Sequence, residues 1–249
     1  MRSRADAVPA FVWVPEVPPP DTALELDEPT LHHVRRVCRA RPGDSLALTD
    51  GRGVHATARL ESDGRVHVTE RTIEPPPARS TLACGVPDGE RADWLVEKLA
   101  EFGIAAFQPI DTVRARWRPE RTRADRWVRL ARAALGQSRG AWQMEIRPPI
   151  AWEEFVTSTP PGGTGWFADP EGERAGRIPD PEPRDWMGVV GPAAGLDARE
   201  KEQLLGCGFR PIWLSERRLR TETAALALAA VWATARPDAL SEGRSGPPS

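Results

Sequence analysis

Residues 211–234 read PIWLSERRLRTETAALALAAVWAT, and this stretch decides the fold of the C-terminal part of the chain. It begins with a short apolar run over 211–214, typical of a buried strand, and ends with an apolar helix over 224–234. Between them, residues 215–220 carry four charged side chains. Such a junction is typical of a functional loop, although Thr221 or Thr223 could simply cap the helix. The stretch therefore predicts a strand, a loop that can carry chemistry, and a helix.

Two similar segments, each an apolar run followed by a loop, precede this stretch. The apolar run 187–190 leads into the small-residue loop 191–195, GPAAG, and then into the tetrapeptide 197–200, DARE. This tetrapeptide has the form of a capping box, which predicts a helix starting directly after its first residue. The apolar run 165–168 leads into 169–172, DPEG, which predicts a loop. Each predicted strand is therefore followed by a loop of small or polar residues.

The alternation of strand and helix extends upstream. Apolar runs at 82–86 and 106–110 predict strands, and amphipathic patterns over 88–101 and 121–136 predict helices. This order is typical of an α/β domain with a mostly parallel sheet. Because ligands of such sheets bind beyond the carboxyl ends of the strands, the loops after 168, 190 and 214 are expected to lie together.

The first 74 residues follow a different pattern. Short alternating segments at 45–49, 54–60 and 66–69 are separated by glycine-containing turns, and residues 28–40 have helical spacing. This region predicts a small β-barrel-like domain over 1–74. A proline-rich linker follows over 75–80, then the α/β domain over 81–237 and a disordered tail over 238–249.

The charges are unevenly distributed. The chain has 34 basic residues and a net charge of −2, and Lys98 and Lys201 are its two lysines. Residues 31–41 contain four arginines and no acid, and residues 114–132 contain eight arginines. Codon usage of a GC-rich genome would explain why most basic residues of the chain are arginines rather than lysines. The local basic patches favour a polyanionic partner such as a nucleic acid.

Several function classes lack support. No apolar run approaches the ~18 residues of a membrane span, and the N-terminus does not resemble a signal peptide. The three cysteines are odd in number and show no metal-site spacing, which argues against disulfides and a zinc site and fits a reducing compartment. Cys84 and Cys207 are interpreted as core residues. Dinucleotide and P-loop motifs are absent. All four histidines precede residue 68, so a Ser-His-Asp site in the second domain would lack its base.

Five segments carry a family likeness. They are HVRRVCR at 33–39, EKLAEFG at 97–103, QPI at 108–110, VGP at 190–192 and, most specifically, LRTETA at 219–224. On these residues the chain resembles the RsmE family, SPOUT-superfamily methyltransferases that modify N3 of a uridine in 16S ribosomal RNA. The likeness covers most of the chain.

The resemblance implies a fold and a reaction. The first domain would be a PUA-like RNA-binding barrel, and the second an α/β domain whose C-terminal part is threaded into a trefoil knot. The knot would bind S-adenosylmethionine, largely through backbone groups, and release S-adenosylhomocysteine without a metal. The protein would act in the cytoplasm as a homodimer, with the small ribosomal subunit as its partner and no membrane association.

The resemblance also assigns residues. Arg220 would stabilise the developing negative charge on the uracil. Glu222 would take the proton, or would orient Arg220 or cap the helix instead, and Asp169 is an alternative base. The arginines expected to contact the substrate are Arg36, Arg39, Arg114 and Arg139. The expected cofactor-binding residues are Phe167, Ala168, Asp169, Gly191, Pro192, Gly195, Leu214, Ser215, Leu219, Thr221 and Ala224.

Three positions depart from the family pattern. Val113, Gly136 and Ala193 each stand where the family has a glutamate. We expect these positions to line one cleft, so their loss opens an alternative: a paralogue that methylates a small molecule, such as a free nucleoside or a specialised metabolite. A third hypothesis, a non-catalytic RNA-binding protein, is opposed by the intact LRTETA segment.

Overall fold

A computed structural model describes residues 10–87, 91–118, 123–159, 164–174 and 185–234. These residues form two compact units. The first contains the described residues up to Pro77 together with Arg129–Met144, and the second contains Ala78–Val128 and the described residues from Glu145 onward. The domain boundaries inferred from the sequence place 129–144 in the second domain and stay a prediction. The predicted disordered tail, 238–249, lies outside the described residues.

The first unit is built on a five-stranded mixed sheet. Its strand order is β1-β3-β4-β5-β2, in which β1 and β3 are parallel and all other neighbours antiparallel. The strands are β1 (Phe11–Trp13), β2 (Ala23–Leu24), β3 (Ser45–Thr49), β4 (Val54–Leu60) and β5 (Val66–Ile73). The three predicted strands are confirmed. The sequence pattern missed β1 and β2 because strands of three and two residues are too short to show alternation.

Alternation places the core of this unit on one face of the sheet. Leu46 and Leu48 of β3, Ala58 of β4, and Val66 and Val68 of β5 are fully buried. The intervening residues of these strands are mostly more exposed, as a half-buried antiparallel sheet requires. The period of two that was visible in the sequence therefore corresponds to the buried face.

The α-helix between β2 and β3 is shorter and less regular than the helix predicted over 28–40. The helix α1 (Glu28–His32) is followed by a π-helical turn at His33–Val37. The side chain of Asp27 accepts a hydrogen bond from the Thr30 amide at 2.8 Å and caps α1. The hydrogen bonds with Thr30 lower the pKa of the Asp27 carboxyl group.

The second unit contains a six-stranded sheet in which all neighbours are parallel, as predicted. Its strand order is β11-β9-β10-β6-β7-β8. The strands are β6 (Ser80–Cys84), β7 (Ala106–Pro109), β8 (Glu145–Ile146), β9 (Thr164–Arg174), β10 (Trp186–Val190) and β11 (Arg210–Trp213).

Among the described residues, five helices follow β6 in the chain, and most of the second of them belongs to the first unit. They are α2 (Arg91–Glu101), α3 (Ala124–Ser138), α4 (Trp152–Ser158), α5 (Ala198–Gly206) and α6 (Thr221–Thr234). The predicted capping box of α5 is confirmed. The helix α4 was not predicted, and α6 starts three residues earlier than expected. No helix among the described residues is long and apolar enough to cross a bilayer.

The strand β9 differs from the sequence prediction. Residues 169–172 were expected to form a loop after a strand ending at 168, but β9 continues to Arg174. Its pairing with β11 is interrupted: Phe167 lies opposite Pro211, whereas Glu173 lies opposite the next residue, Ile212. Residues 168–172 therefore leave the ladder and return to it. A glycine is needed at 172, since a Cβ there would lie 2.5 Å from the backbone nitrogen of Ile212.

Three tryptophans form a cluster in the core of the second unit. The ring of Trp186 stacks on Trp232, with centroids 5.4 Å apart, and meets Trp166 edge-on at 5.7 Å. Gly188 lies against the Trp186 ring, and a Cβ at this position would lie 2.7 Å from the ring atom Cζ2. The ring cannot move aside because its neighbours hold it.

We expect Gly188→Ala to destabilise the protein by roughly 1–3 kcal/mol through overpacking against Trp186. Urea unfolding followed by tryptophan fluorescence measures this change. Gly206→Ala is the matched control, since a Cβ at this end of α5 meets no atom within 4 Å. Equal unfolding midpoints for the two variants would contradict the tight contact.

Cys84 is fully buried at the end of β6. Burial, together with the nearby negative charge of Glu222, raises the pKa of its thiol. The thiol therefore stays protonated at neutral and mildly alkaline pH, and a protonated thiol is a poor nucleophile. This agrees with the interpretation of Cys84 as a core residue.

We expect Ellman's reagent, at mildly alkaline pH, to titrate the same number of fast-reacting thiols in the native protein and in Cys84→Ala. In urea the two proteins should differ by one thiol. Loss of a fast-reacting thiol in native Cys84→Ala would show that Cys84 is accessible.

Candidate active site

A cavity of about 500 Å³ lies at the carboxyl ends of β10 and β11, next to the point where β9 leaves its pairing with β11. Most of its wall comes from three segments: the excursion of β9 at 168–170, the loop that follows β10 at 190–196, and the segment 212–219 that runs from β11 toward α6. The remaining lining residues are Arg114, Lys201, Thr221 and Ala224. The expectation that these loops lie together is confirmed. The reason is topological, because parallel strands all present their carboxyl ends at the same edge of the sheet.

The loop Gly191–Gly195 is held by its carbonyl oxygens. The carbonyl groups of residues 191–194 each accept a hydrogen bond. The donors are the Thr221 hydroxyl to Gly191 at 3.2 Å, the Gly195 amide to Pro192 at 2.7 Å, the Arg218 guanidinium to Ala193 at 2.7 Å and the Arg114 guanidinium to Ala194 at 2.5 Å. The amides of Ala193 and Ala194 donate to no acceptor among the described residues. All four carbonyl oxygens of the loop therefore have partners within the protein, whereas the amide hydrogens of Ala193 and Ala194 are available to a ligand.

Close backbone packing supports the start of this loop. The amide of Gly85, which follows β6, donates to Val190 at 2.8 Å. A Cβ on Gly85 would lie 2.5 Å from the nitrogen of Pro192. Residue 85 must therefore be glycine for β6 and the loop to approach this closely.

Glu200 does more than cap α5. It is 1% exposed, and one carboxylate oxygen accepts the capping bond from Asp197, while the other accepts the amide of Val113; both distances are 2.8 Å. The second bond ties the turn at 112–115 to α5, and this turn carries Arg114 to the loop. The capping motif indicated the first bond, but no sequence signal indicated the second.

Asp169 and Lys201 form an ion pair on the cavity wall. The Lys201 ammonium lies 2.6 Å from one carboxylate oxygen of Asp169, and the other oxygen accepts the Glu171 amide at 2.8 Å. Both carboxylate oxygens are therefore engaged, which weakens the alternative that Asp169 takes a proton. The sequence analysis did not single out Lys201 as a site residue.

The two candidate catalytic residues are placed differently. Arg220 is exposed, and its neighbours Leu219 and Thr221 line the cavity although it does not. Glu222 is 1% exposed and lies away from the cavity wall. One of its oxygens pairs with Arg91 of α2, and the other is buried without a partner among the described residues. This geometry favours a role of Glu222 in holding the start of α6 over a role as base.

All of the predicted cofactor-binding residues except Phe167 line this cavity. Phe167 is 1% exposed and belongs to a buried cluster that includes Val189 and Phe209. Successive residues of a strand face opposite sides, so Phe167 enters the core whereas Ala168 borders the cavity. The predicted residues on the wall are Ala168, Asp169, Gly191, Pro192, Gly195, Leu214, Ser215, Leu219, Thr221 and Ala224.

The candidate substrate arginines are divided between the two units. Arg36, Arg39 and Arg139 are exposed residues of the first unit. Arg39 and Arg139 both have φ of 56°, in the left-handed region. Arg114 belongs to the second unit, and its guanidinium contacts the loop carbonyl of Ala194. It therefore has a partner within the protein, which the sequence analysis did not anticipate.

The three positions that lack the family glutamate are not equivalent. Ala193 lines the cavity. Val113 does not and is 71% exposed, and Gly136 lies in α3 within the first unit. Among these positions, Ala193 alone borders the described cavity, so the expectation of one shared cleft is not met there.

No cluster of three or more metal-ligating side chains occurs in the described part of the chain.

Known families match both parts of the chain. An RNA methyltransferase domain matches residues 74–233, and an RNA methyltransferase PUA domain matches residues 26–70. Ribosomal RNA small subunit methyltransferase E of Mycobacterium bovis is 31% identical over 90% of this chain and 91% of its own length. The protein of the same name from Synechocystis is 28% identical over 82% of this chain and 70% of its own length.

Solved structures agree with these matches. Ribosomal RNA small subunit methyltransferase E from Neisseria gonorrhoeae, solved bound to S-adenosyl methionine, superposes with a TM-score of 0.79 at 28% identity over 90% of this chain and 97% of its own. A Legionella pneumophila protein, solved with the cofactor SAM, gives a TM-score of 0.77 at 26% identity over 91% of this chain and 97% of its own. The family resemblance and the predicted fold class are thereby confirmed: the chain belongs to the ribosomal RNA small subunit methyltransferase E family of RNA methyltransferases.

Proposed function

We propose that the protein transfers a methyl group from S-adenosylmethionine to N3 of a uridine in the RNA of the small ribosomal subunit. The observation that carries the proposal is the convergence of three chain segments on one cavity at the carboxyl edge of the parallel sheet. Membership of the family makes the protein an S-adenosylmethionine-dependent RNA methyltransferase, and the prediction of this cofactor is confirmed by the ligand-bound relatives. The proposal goes beyond family membership in naming a uridine as the target and N3 as the methylated atom.

The residues present fit the cofactor. A cavity of about 500 Å³ is within the usual range for a small-molecule site. Its wall combines apolar side chains, among them Ile212, Leu214 and Leu219, with the loop residues Ala193 and Ala194, whose amides donate to no acceptor among the described residues. Apolar surface suits an adenine ring and the amides suit oxygen or nitrogen acceptors, so both halves of the ligand find complementary groups.

When bound, the cofactor supplies a methyl group on a positively charged sulfur. The N3 proton would pass to water, which leaves a negative charge on the uracil; N3 would then form a bond to the methyl carbon as the sulfur–carbon bond breaks. The protein's own contribution is to hold the acceptor in line and to stabilise the negative charge that the uracil gains. Arg220, exposed between two cavity-lining residues, is the residue we propose for that charge stabilisation.

Two further parts of the prediction stay proposals. We propose a homodimer, which the apolar sequence of α6 supports: Ala227, Ala230 and Val231 recur at helical spacing and are only partly buried, so they retain apolar surface for a second copy. Light scattering after gel filtration tests this, and a monomeric mass would refute it. The trefoil knot and the cytoplasmic location remain predictions from the resemblance.

Methyl transfer is tested with labelled S-adenosylmethionine. The purified protein is offered small ribosomal subunits from a strain that lacks the modification and, in parallel, a pool of free uracil nucleosides. We expect 3-methyluridine in nuclease digests of the RNA and no label in the nucleoside pool. Label confined to the nucleosides would support the small-molecule alternative and would refute the RNA substrate.

Arg220→Ala should lower kcat by roughly 100-fold while leaving the affinity for S-adenosylmethionine nearly unchanged, because the lost contact forms in the transition state. Single-turnover assays and calorimetry measure the two quantities. Arg199→Ala, at an exposed arginine of α5, is the control. Full activity of Arg220→Ala would remove Arg220 from the site.

Arg36→Ala and Arg39→Ala should weaken RNA binding and reduce its salt dependence, by about 1 in the slope of log affinity against log salt for each lost phosphate contact. Filter binding over a range of salt concentrations measures the slope. Arg59→Ala serves as the control, since it removes an exposed arginine from β4. Equal slopes for all three variants would refute a phosphate contact at Arg36 and Arg39.

A further inference from the structure

The loop 191–195 has no polar side chain that could anchor it. Ala193 and Ala194 carry a single methyl group each, and glycines stand at both ends. The loop nevertheless lines the cavity. Its position must therefore come from groups elsewhere in the chain that bind its backbone.

Two arginines supply those groups. Arg218 donates to the carbonyl oxygen of Ala193 at 2.7 Å, and Arg114 donates to that of Ala194 at 2.5 Å. The arginines come from different segments: Arg218 follows β11, and Arg114 lies in the turn that Glu200 holds. Together they bind two adjacent carbonyl groups of the loop, and both arginines also line the cavity.

We propose that Arg114 and Arg218 are positioning residues that form a clasp on the cofactor loop and set the direction of its amide groups. The inference rests on the proposed cofactor site. It gives Arg114 a role other than the phosphate contact expected from the sequence, and it assigns a role to Arg218, which the sequence analysis left without one.

The clasp also makes the Ala194 amide a stronger hydrogen-bond donor. The carbonyl of Ala193 and the amide of Ala194 belong to one peptide group. A positive donor on the carbonyl polarises that group and makes its N–H a better donor, since hydrogen bonds in series reinforce one another. The Ala194 amide donates to no described residue, so the gain is available to a ligand in the cavity.

Calorimetry with S-adenosylmethionine and, separately, S-adenosylhomocysteine tests the clasp. Arg218→Ala and Arg114→Ala should each raise Kd by about 5- to 10-fold, the range expected for an exposed charge-assisted hydrogen bond. Arg218→Lys and Arg114→Lys should recover part of the loss, because each arginine uses one donor. Arg116→Ala is the matched control: it is an exposed arginine that does not line the cavity.

Hydrogen exchange separates positioning from general destabilisation. In the alanine variants without ligand, the backbone of 191–195 should lose protection while the urea midpoint stays within error of the native protein. An unchanged exchange rate in this loop, or a fall in stability that accounts for the weaker binding, would overturn the clasp.

The outcomes distinguish the inference from the proposed function. If the native protein binds neither ligand, the proposed cofactor site is wrong. If it binds both and the alanine variants bind within twofold of it, the site stands and the clasp is wrong. If Arg114→Ala raises KM for RNA without changing the cofactor Kd, Arg114 is a phosphate contact instead and the clasp is overturned.

Discussion

The hydrogen bonding of four consecutive carbonyl groups, those of residues 191–194, is the constraint on which the site depends. Backbone polar groups at the edge of a packed sheet need partners, and here each carbonyl has one. The donors come from α6, from the loop itself, from the segment after β11 and from the turn at 112–115. The shape of the loop therefore depends on three other parts of the second unit.

Buried carboxylates connect two of these parts to neighbouring helices. Glu200 joins the start of α5 to the turn of Arg114, and Glu222 joins the start of α6 to Arg91 of α2. Neither carboxylate lies on the cavity wall. Glu222, a candidate base in the sequence, thus holds the frame together with Glu200, whereas Asp169, the alternative base, lines the cavity and pairs with Lys201.

Local sequence pattern predicted much of this frame. The alternation in β3, β4 and β5, the apolar runs of the parallel sheet and the capping box of α5 are short-range signals, and the structure contains all of them. The short strands β1 and β2 and the excursion within β9 were missed. Their conformation depends on partners far away in the chain, as Gly172 against Pro211 illustrates.

The sequence by itself determined the family, the α/β class and the three segments that form the cavity, because these follow from periodicity and from motifs a few residues long. Only the tertiary structure decided what each charged side chain does. It placed Glu222 on Arg91, Lys201 on Asp169, and Arg114 and Arg218 on the loop carbonyls. A long charged side chain takes the nearest complementary group in space, and sequence spacing does not specify that group.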